Sequence, residues 1–289
     1  MRPLRAATRG SPLARWQADH IAGLLRGIDP AIVVELVVVE TQGDRRPDLP
    51  IWELGGKGVF AKEVQEAVLD GRADFAVHSA KDLPSVTVAG LIMVSVPERG
   101  DPRDAMVGST LADLPQGAEV ATGSLRRQSQ LAAARPDLRF VGLRGNMRTR
   151  VDQAAHHDAV VVAAAALDRL GWADEIAERL ATDLMLPQVG QGALAIEARV
   201  DGDLHDLLAA IEHADTRRCV DAERAFLAEL GGDCSLPAAA FATLSDGNLS
   251  IEGRLLSVDG RTELRHTGLD GADVARHLLD HGGAELLGR

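Results

Sequence analysis

Apolar and polar positions in the first two thirds of the chain predict strands that alternate with helices. An apolar strand ends near Ala7 and leads through a polar turn into a helix that Pro12 opens, with apolar residues at a period close to 3.6. Residues 32–39 form a nearly continuous apolar, β-branched run, the pattern of a buried parallel strand. Further strands are predicted over 73–77, 119–121 and 159–165, and helices after residues 58 and 124. This alternation predicts α/β architecture with largely parallel sheets.

One stretch of this pattern occurs twice. A strand, the turn Thr8-Arg9-Gly10-Ser11 and a helix are echoed by a strand, the turn Thr122-Gly123-Ser124 and a helix. Two similar domains facing one another would explain the echo. Chance similarity between two strand-to-helix turns is the alternative.

The pattern changes from about residue 215. A helix is predicted over 215–230, followed by a glycine-rich loop and by strands separated at Asp246-Gly247 and Asp259-Gly260, which are hairpin dipeptides. A last amphipathic helix carries Val274 and Leu278. The final segment therefore reads as a small α+β domain.

Composition and charge narrow the class of protein. The 289 residues are 46% hydrophobic, enough for two or three domains, and no run of about 18 apolar residues could span a bilayer. The amino end leads into a polar turn and not a secretory hydrophobic region, so we expect a cytoplasmic protein. A net charge of −12 disfavours free association with nucleic acid or anionic lipid.

The two cysteines are predicted to differ. Cys219 shares an apolar helical stripe with Phe226 and Leu230, which places it in the core. Cys234 lies in a glycine-rich loop, where a thiol is accessible.

Basic side chains are concentrated in a few segments. Ser11 and Ser124 each precede a helix whose exposed N–H groups favour anions, and Arg9, Arg126 and Arg127 flank them. Residues 144–150 add three arginines, a residue type that forms bidentate contacts with carboxylates. The set suits a polycarboxylate ligand. If the arginines bind such a ligand, Arg126→Leu and Arg144→Leu should affect assembly of the product more than folding, because exposed charges contribute little to stability whereas unpaired substrate carboxylates are costly to bury. The alternative is helix caps and solvated arginines.

Lysines and one aspartate complete the candidate chemistry. Lys57, Lys62 and Lys81 all fall within 25 residues, although chance clustering is an alternative. The segment around Lys57 fails the P-loop pattern because no Ser or Thr follows the lysine, so nucleotide binding is not predicted. Asp82 comes just after a predicted strand, at the edge where open parallel sheets bind ligands; a simple turn residue is the alternative.

Seven segments, taken together and in order, resemble the porphobilinogen deaminase family over nearly the whole chain. They are TRGSPLA at 8–14, GGKGVF at 55–60, AVHSAKDLP at 76–84, GSLRRQ at 123–128, LRGN at 143–146, VGQGA at 189–193 and GGDC at 231–234. The resemblance implies two α/β domains like those of periplasmic binding proteins, with a cleft between them, and a small α+β domain. The implied boundaries are 1–97 with 193–212, 98–192, and 213–289.

The resemblance also implies an activity, a transferase reaction of tetrapyrrole biosynthesis. Four porphobilinogen molecules would be joined on a dipyrromethane cofactor attached to Cys234 through a thioether, with Asp82 as the catalytic carboxylate. The implied cofactor contacts, besides Cys234, are Lys57, Lys81, Ser79, Ser124, Arg126, Arg127 and Gly145. The implied substrate contacts are Arg9, Ser11, Thr122, Arg144, Arg150, Arg169 and Gln191. A monomer without metal, and transient contact with the downstream cyclising synthase, are further expectations.

Three positions depart from the family pattern. Glu53 stands where relatives often carry Lys, Gly123 replaces a frequent Ser, and Asp233 precedes the cysteine where Gly is frequent. None touches Asp82 or Cys234, so an active enzyme is still expected.

Two other classes stay open from the residues alone. A solute-binding module would share the arginines, but it has no use for a cysteine in an appended domain. A cysteine hydrolase would need a histidine such as His78 or His213 beside Cys234.

Overall fold

The computed structural model describes residues 2–45, 60–231 and 236–288. Its strands are β1 Leu4–Arg9, β2 Val34–Val39, β3 Phe75–Ser79, β4 Leu91–Ser95, β5 Asp104–Val107, β6 Glu119–Ala121, β7 Arg139–Val141, β8 Ala159–Ala163, β9 Glu178–Arg179, β10 Leu194–Arg199, β11 Ala238–Ser245, β12 Asn248–Leu256 and β13 Glu263–Gly268. Its helices are α1 Pro12–Ile28, α2 Gln42–Arg45, α3 Lys62–Leu69, α4 Leu125–Ala134, α5 Met147–Asp152, α6 Ala164–Arg169, α7 His205–Ala209, α8 Ala214–Glu229, α9 Gly271–Leu278 and α10 Ala284–Leu286. Within these residues no helix is long and apolar enough to cross a membrane.

The chain divides into two compact units. One combines Met1–Gly100 with Ala193–Arg217, and the other combines Asp101–Gly192 with Arg218–Arg289. The second unit therefore contains both the middle region and the carboxyl-terminal region. The three-domain boundaries implied by the resemblance stay a prediction.

Each unit contains one five-stranded mixed sheet, and the two sheets share a topology. The first has the order β2-β1-β3-β10-β4 and the second the order β7-β6-β8-β5-β9. In each, the fourth strand of the order runs antiparallel to its neighbours and the other strands run in one direction. Largely parallel sheets and two similar domains, both predicted, are confirmed. The antiparallel strand was not foreseen.

The repeated turn leads into a helix in both units. In the first, Pro12 opens α1 and the Ser11 side chain accepts a hydrogen bond from the Ala14 N–H, as expected of a helix cap. In the second, α4 begins directly after Ser124, whose side chain makes no capping bond. Both predicted helix starts are confirmed.

The strand predicted over residues 32–39 differs from expectation. It is parallel, as β2 beside β1, but it lies at the edge of its sheet, and among its six residues only Val39 is buried. A continuous apolar run therefore marked an edge strand here. Val38 is left 47% exposed as a result.

The third sheet has the order β11-β12-β13 and packs against α8 and α9. Its first hairpin closes through Asp246 and Gly247, which have φ of 51° and 75°, the signs a two-residue type I′ turn requires. Cys219 joins Phe226 and Leu230 in this core, as predicted. The small α+β domain is therefore confirmed.

Candidate active site

In the first unit, candidate residues gather at the carboxyl ends of two neighbouring parallel strands. Arg9 ends β1 and Ser79 ends β3, and the single turn Ala80–Asp82 follows β3 directly. Gln17 of α1 donates to the Ser79 Oγ at 2.8 Å, which ties the end of β3 to the helix that Ser11 caps. Asp82 thus lies just past a strand terminus, as the sequence predicted.

The Asp82 carboxylate is half-buried, and it makes no hydrogen bond or ion pair within residues 2–45, 60–231 and 236–288. Nearby in sequence, Lys81 is half-buried as well. The Arg9 guanidinium lies 4.3 Å from the centre of the Phe60 ring, a cation–π contact. As far as the described residues are concerned, both oxygens of Asp82 can therefore accept protons or N–H groups.

A buried polar group supports this strand end from inside the sheet. The Nε2 atom of His78 lies 3.2 Å from an oxygen of Glu197, and Gln65 donates to the same oxygen at 2.8 Å. All three side chains are at most 5% exposed. His213, the other histidine considered as a thiol partner, bonds instead to the Thr216 hydroxyl. Cys234 lies outside the described residues, so the cysteine hydrolase stays an untested alternative.

In the second unit, the turn after β6 is tightly packed. The Thr122 hydroxyl is buried and accepts from the Ser124 N–H at 3.3 Å. A Cβ atom placed on Gly123 would lie 2.6 Å from the Leu143 carbonyl oxygen, so this turn has no space for a side chain. The family's frequent serine is therefore excluded from Gly123 unless the backbone near Leu143 moves.

Arg126 and Arg127 are buried, at 2% and 7% exposure, and both bind Asp104. Arg126 Nη2 donates to one carboxylate oxygen of Asp104 and Arg127 Nε to the other, each at 2.8 Å. Gln191 Nε2 donates to the second of these oxygens at 2.9 Å. The interpretation of Arg126 as a solvated arginine is wrong, because its guanidinium has a buried carboxylate partner. Arg126→Leu is accordingly expected to destabilise the fold.

The electrostatics of this cluster are unusual for a protein interior. Burial alone would raise the pKa of Asp104, but the charges of Arg126 and Arg127 and the Gln191 hydrogen bond outweigh burial and lower it to about 2. Burial lowers the pKa of Arg126. The three ionised groups carry a net positive charge, and the buried Nε atom of Arg126 has no hydrogen-bond partner among the described residues. A second anion would compensate that charge.

Sequence reasoning did not identify Asp104. The available signal was an acidic residue at the start of an apolar strand, in the segment Asp101–Val107. A carboxylate that is buried at the start of an apolar strand needs a cationic partner. The consecutive arginines at 126 and 127 were the candidate partners.

The loop after β7 presents further arginines. Gly145 has a φ of 99°, and its carbonyl accepts from Arg150 Nε at 2.9 Å. Arg148, the third arginine of this segment, is held by Asp152 and Glu175 at the surface. Partial burial lowers the pKa of Arg144.

Arg169 lies on α6 and donates to the Gly192 carbonyl at 2.6 Å, beside the segment that holds Gln191. Burial lowers the pKa of Arg169 to about 10, so it remains a cation near neutral pH. Gln191 is completely buried and bonded to the Pro102 carbonyl as well as to Asp104. The candidates of the second unit therefore surround one edge of its sheet, with Gln191 on the inside.

Several predicted residues lie outside the described part of the chain. They are Lys57, Cys234 and the departures Glu53 and Asp233. Within the described part, no group of three or more His, Cys, Asp or Glu could hold a metal ion.

Comparison with known proteins gives one consistent result. Residues 4–205 match the family model "Porphobilinogen deaminase, dipyromethane cofactor binding domain", and residues 217–287 match "Porphobilinogen deaminase, C-terminal domain". Porphobilinogen deaminase of Nitratidesulfovibrio vulgaris is 46% identical over 99% of this chain and 96% of its own length. That of Syntrophus aciditrophicus is 46% identical over 98% and 97%.

Solved structures also resemble the chain. A periplasmic substrate-binding protein of an ABC transporter from Coxiella burnetii is 14% identical with a TM-score of 0.45, covering 72% of this chain and 91% of that one. A nutrient-binding protein from Burkholderia cenocepacia is 11% identical with a TM-score of 0.43, covering 71% and 89%. The two family models and the identity to relatives over nearly full length show that this chain belongs to the porphobilinogen deaminase family.

Proposed function

We propose that the chain joins four porphobilinogen molecules head to tail on a dipyrromethane primer held by Cys234, and then releases hydroxymethylbilane by hydrolysis. The observation that carries the proposal is the placement of Asp82. Its carboxylate follows a buried strand, with no bond among the described residues to occupy its oxygens. A carboxylate so placed can both accept N–H groups and transfer protons.

The described residues fit an anionic cofactor. The cluster of Asp104, Arg126 and Arg127 has one more positive than negative charge, and a buried N–H of Arg126 lacks an acceptor. Carboxylate side chains of the cofactor would supply both the charge and the acceptor. When bound, the dipyrromethane supplies the pyrrole α-carbon to which the first unit is joined. The residues proposed to hold it are Ser79, Lys81, Ser124, Arg126, Arg127 and Gly145, with Lys57 and Cys234 from outside the described part.

Asp82 would act on the incoming porphobilinogen. Each condensation breaks the bond between the aminomethyl carbon and nitrogen, releases ammonia, forms a carbon–carbon bond and removes one α-proton. As ammonia leaves, positive charge spreads onto the pyrrole nitrogen. Asp82 can accept that N–H and stabilise the charge, and it can carry a proton between the leaving amine and the α-carbon.

The substrate's acetate and propionate groups need cations. Arg9, Arg144, Arg150 and Arg169 are proposed to bind them, since guanidinium and carboxylate match in a bidentate geometry. Ser11, whose hydroxyl caps α1, would place the helix N-terminus near the same groups. Thr122 and Gln191 are buried and bonded inside the second unit, so their proposed part is to support the residues around them.

The setting of the reaction also belongs to the proposal. A net charge of −12 suits a small-molecule enzyme that contacts neither nucleic acid nor membrane, and we propose that it works in the cytoplasm as a monomer. Transient contact with the downstream cyclising synthase would shorten the exposure of the released product to water.

The two cysteines provide the test, because Cys219 is a buried control for Cys234. Intact-mass spectrometry of the purified enzyme should show the mass of the sequence plus two linked pyrroles. Limiting porphobilinogen should add mass in steps of one pyrrole unit, each less one ammonia, up to a fourth step. Cys234→Ser should lack both the primer and the steps, because a hydroxyl is far less nucleophilic than a thiolate near neutral pH.

Cys219→Ser should keep both and lose only about 1 kcal/mol of stability, from burying a hydroxyl. A Cys234→Ser protein that still carries the primer would contradict the attachment. A native enzyme with the bare sequence mass that never grows with substrate would contradict the function.

A further inference from the structure

Asp104 joins three separate segments of the second unit. It lies at the start of β5, has no solvent exposure, and accepts hydrogen bonds from Arg126, Arg127 and Gln191. The arginines belong to α4, whereas Gln191 belongs to the segment that precedes β10. One buried carboxylate therefore fixes two cations and the returning chain.

Consecutive residues on a helix do not point the same way, because each is rotated by about 100° from the last. Arg126 and Arg127 would ordinarily diverge. Asp104 brings their guanidiniums together by offering one oxygen to each, at 2.8 Å. Each guanidinium also donates through Nη1 to a backbone carbonyl, Arg126 to that of Leu186 at 2.7 Å and Arg127 to that of Val161 at 3.1 Å. These bonds fix the orientation of the two guanidiniums.

Further buried hydrogen bonds connect the Gln191 segment with the third sheet. The Gly190 N–H, next to Gln191, donates to Glu223 of α8 at 2.7 Å. The other oxygen of Glu223 accepts from the Ala242 N–H of β11 at 3.0 Å. Buried hydrogen bonds thus run in an unbroken series from β11 to the segment whose Gln191 side chain binds Asp104.

We propose that Asp104 is a positioning residue that sets the geometry of Arg126 and Arg127 for carboxylate recognition without contacting a reacting atom. The inference rests on the proposed function, because it assumes that these arginines bind carboxylates of the primer. A carboxylate at this place also limits the cluster to one excess positive charge. The site is therefore predicted to select an anionic ligand with its carboxylate at a fixed position.

Asp104→Glu is the principal test, since it keeps the charge and displaces the carboxylate by one methylene. Asp104→Asn keeps the size and removes the charge. Asp137→Asn is the matched control, because Asp137 pairs with Arg135 immediately beyond the other end of α4. The measurements are the fraction of purified full-length enzyme that carries the primer mass, KM and kcat for porphobilinogen, and the thermal unfolding midpoint.

We expect Asp104→Glu to fold and to carry primer on less than about half of its molecules. Because a displaced primer also displaces the α-carbon at which porphobilinogen is received, KM should rise about tenfold, with kcat per loaded enzyme changed less than about threefold. A tenfold change corresponds to about 1.4 kcal/mol, in the range of one charged hydrogen bond. Asp104→Asn should change primer loading and KM in the same direction, and Asp137→Asn should change neither. A purely structural role would lower the active fraction and leave KM unchanged.

The outcomes separate the two levels of proposal. If the wild-type enzyme carries no primer and consumes no porphobilinogen, the proposed function fails. If the wild type behaves as expected and Asp104→Glu has normal KM and primer loading, the positioning role is overturned. Failure of both Asp104 variants to fold, beside a folded Asp137→Asn, would also overturn it and assign Asp104 to the structure alone.

Discussion

The two five-stranded sheets have one topology and opposite chemistry. At the carboxyl edge of the first, Asp82 presents a carboxylate that has no partner among the described residues. At the corresponding edge of the second, Arg126 and Arg127 share a buried acid. The repeated topology determines where a functional group stands, and the side chains determine what it does. Under the proposed function, the first sheet would move protons and the second would hold carboxylates.

The same contrast holds inside the sheets. Each antiparallel strand carries a buried acid, Glu197 on β10 and Asp104 on β5, and these strands occupy equivalent places in the two orders. Glu197 is contacted by His78 and by the neutral amide of Gln65. Asp104 is bound by two guanidiniums, which leaves excess positive charge. The excess positive charge beside Asp104 therefore favours a further anion there.

Removing the charge of Asp82 should have the largest effect. Asp82→Asn keeps the size of the side chain and is expected to lower kcat at least about a hundredfold, the lower range for an acid–base or electrostatic group. The primer mass should remain, because the substitution leaves the second unit unchanged. Steady-state consumption of porphobilinogen and intact mass measure the two results.

Near-normal turnover of a primer-loaded Asp82→Asn enzyme would remove Asp82 from the chemistry. The proposed division of labour between the two sheets would then have to be abandoned.

The second prediction compares two arginines of the second unit, Arg126 on α4 and Arg144 in the loop after β7. Arg126→Leu leaves one buried oxygen of Asp104 without its donor and removes one of the two donors to the Leu186 carbonyl, and should lower the free energy of unfolding by about 2 kcal/mol. Arg144→Leu should cost less than about 1 kcal/mol and raise KM about tenfold, because a half-buried arginine outside this cluster contributes more to binding than to stability.

Denaturant unfolding and steady-state kinetics separate the two effects. If Arg126→Leu unfolds like the wild type, the buried pair contributes nothing to stability. If Arg144→Leu has a normal KM, the loop after β7 does not bind substrate.

Much of the fold could be predicted from local signals. Pro12 and the dipeptide at 246–247 each identified an element, because turn chemistry acts over a few residues. The apolar run at 159–165 identified a buried strand, but its last two residues begin α6 instead. The edge position of β2 and the antiparallel strands β5 and β10 could not be predicted, since pairing depends on segments far apart in sequence. For the same reason the motif identified Arg126 but not Asp104, whose partners lie 22, 23 and 87 residues away.

A third prediction concerns acid stability. Because the pKa of Asp104 falls from 3.8 in the unfolded reference to about 2 in the fold, the ionised form stabilises the protein above about pH 4. That contribution, roughly 2 kcal/mol, should be lost as pH falls through about 2. Asp74 of the first unit behaves in the same way. Burial raises its pKa, but the hydrogen bonds from Arg2 and Arg5 outweigh burial and lower it, so ionised Asp74 also stabilises the fold and this stabilisation is also lost in acid.

Urea unfolding between pH 2 and pH 5 tests this prediction. Asp104→Asn should show a flatter dependence of stability on pH than the wild type across this window, with Asp74→Asn as the comparison from the first unit. An unchanged slope in Asp104→Asn would mean that the carboxylate titrates alike in the folded and unfolded chains.

The smallest expected effect distinguishes the two repeated turns. Gly10 and Gly123 each precede the serine at the start of a helix, and neither has a positive φ, so only space decides whether a side chain fits. A Cβ on Gly10 would lie 3.4 Å from Val38 Cγ1, an ordinary contact, whereas a Cβ on Gly123 would lie 2.6 Å from the Leu143 oxygen. Gly10→Ala should therefore leave the free energy of unfolding unchanged or raise it slightly, because alanine reduces the entropy of the unfolded chain. Gly123→Ala should lower it by about 1 kcal/mol, since the Leu143 backbone must move. Gly123→Ser, which introduces the hydroxyl expected from the family resemblance, should be destabilised to a similar extent. Equal stabilities for all three variants would show that the second turn accommodates a side chain as readily as the first.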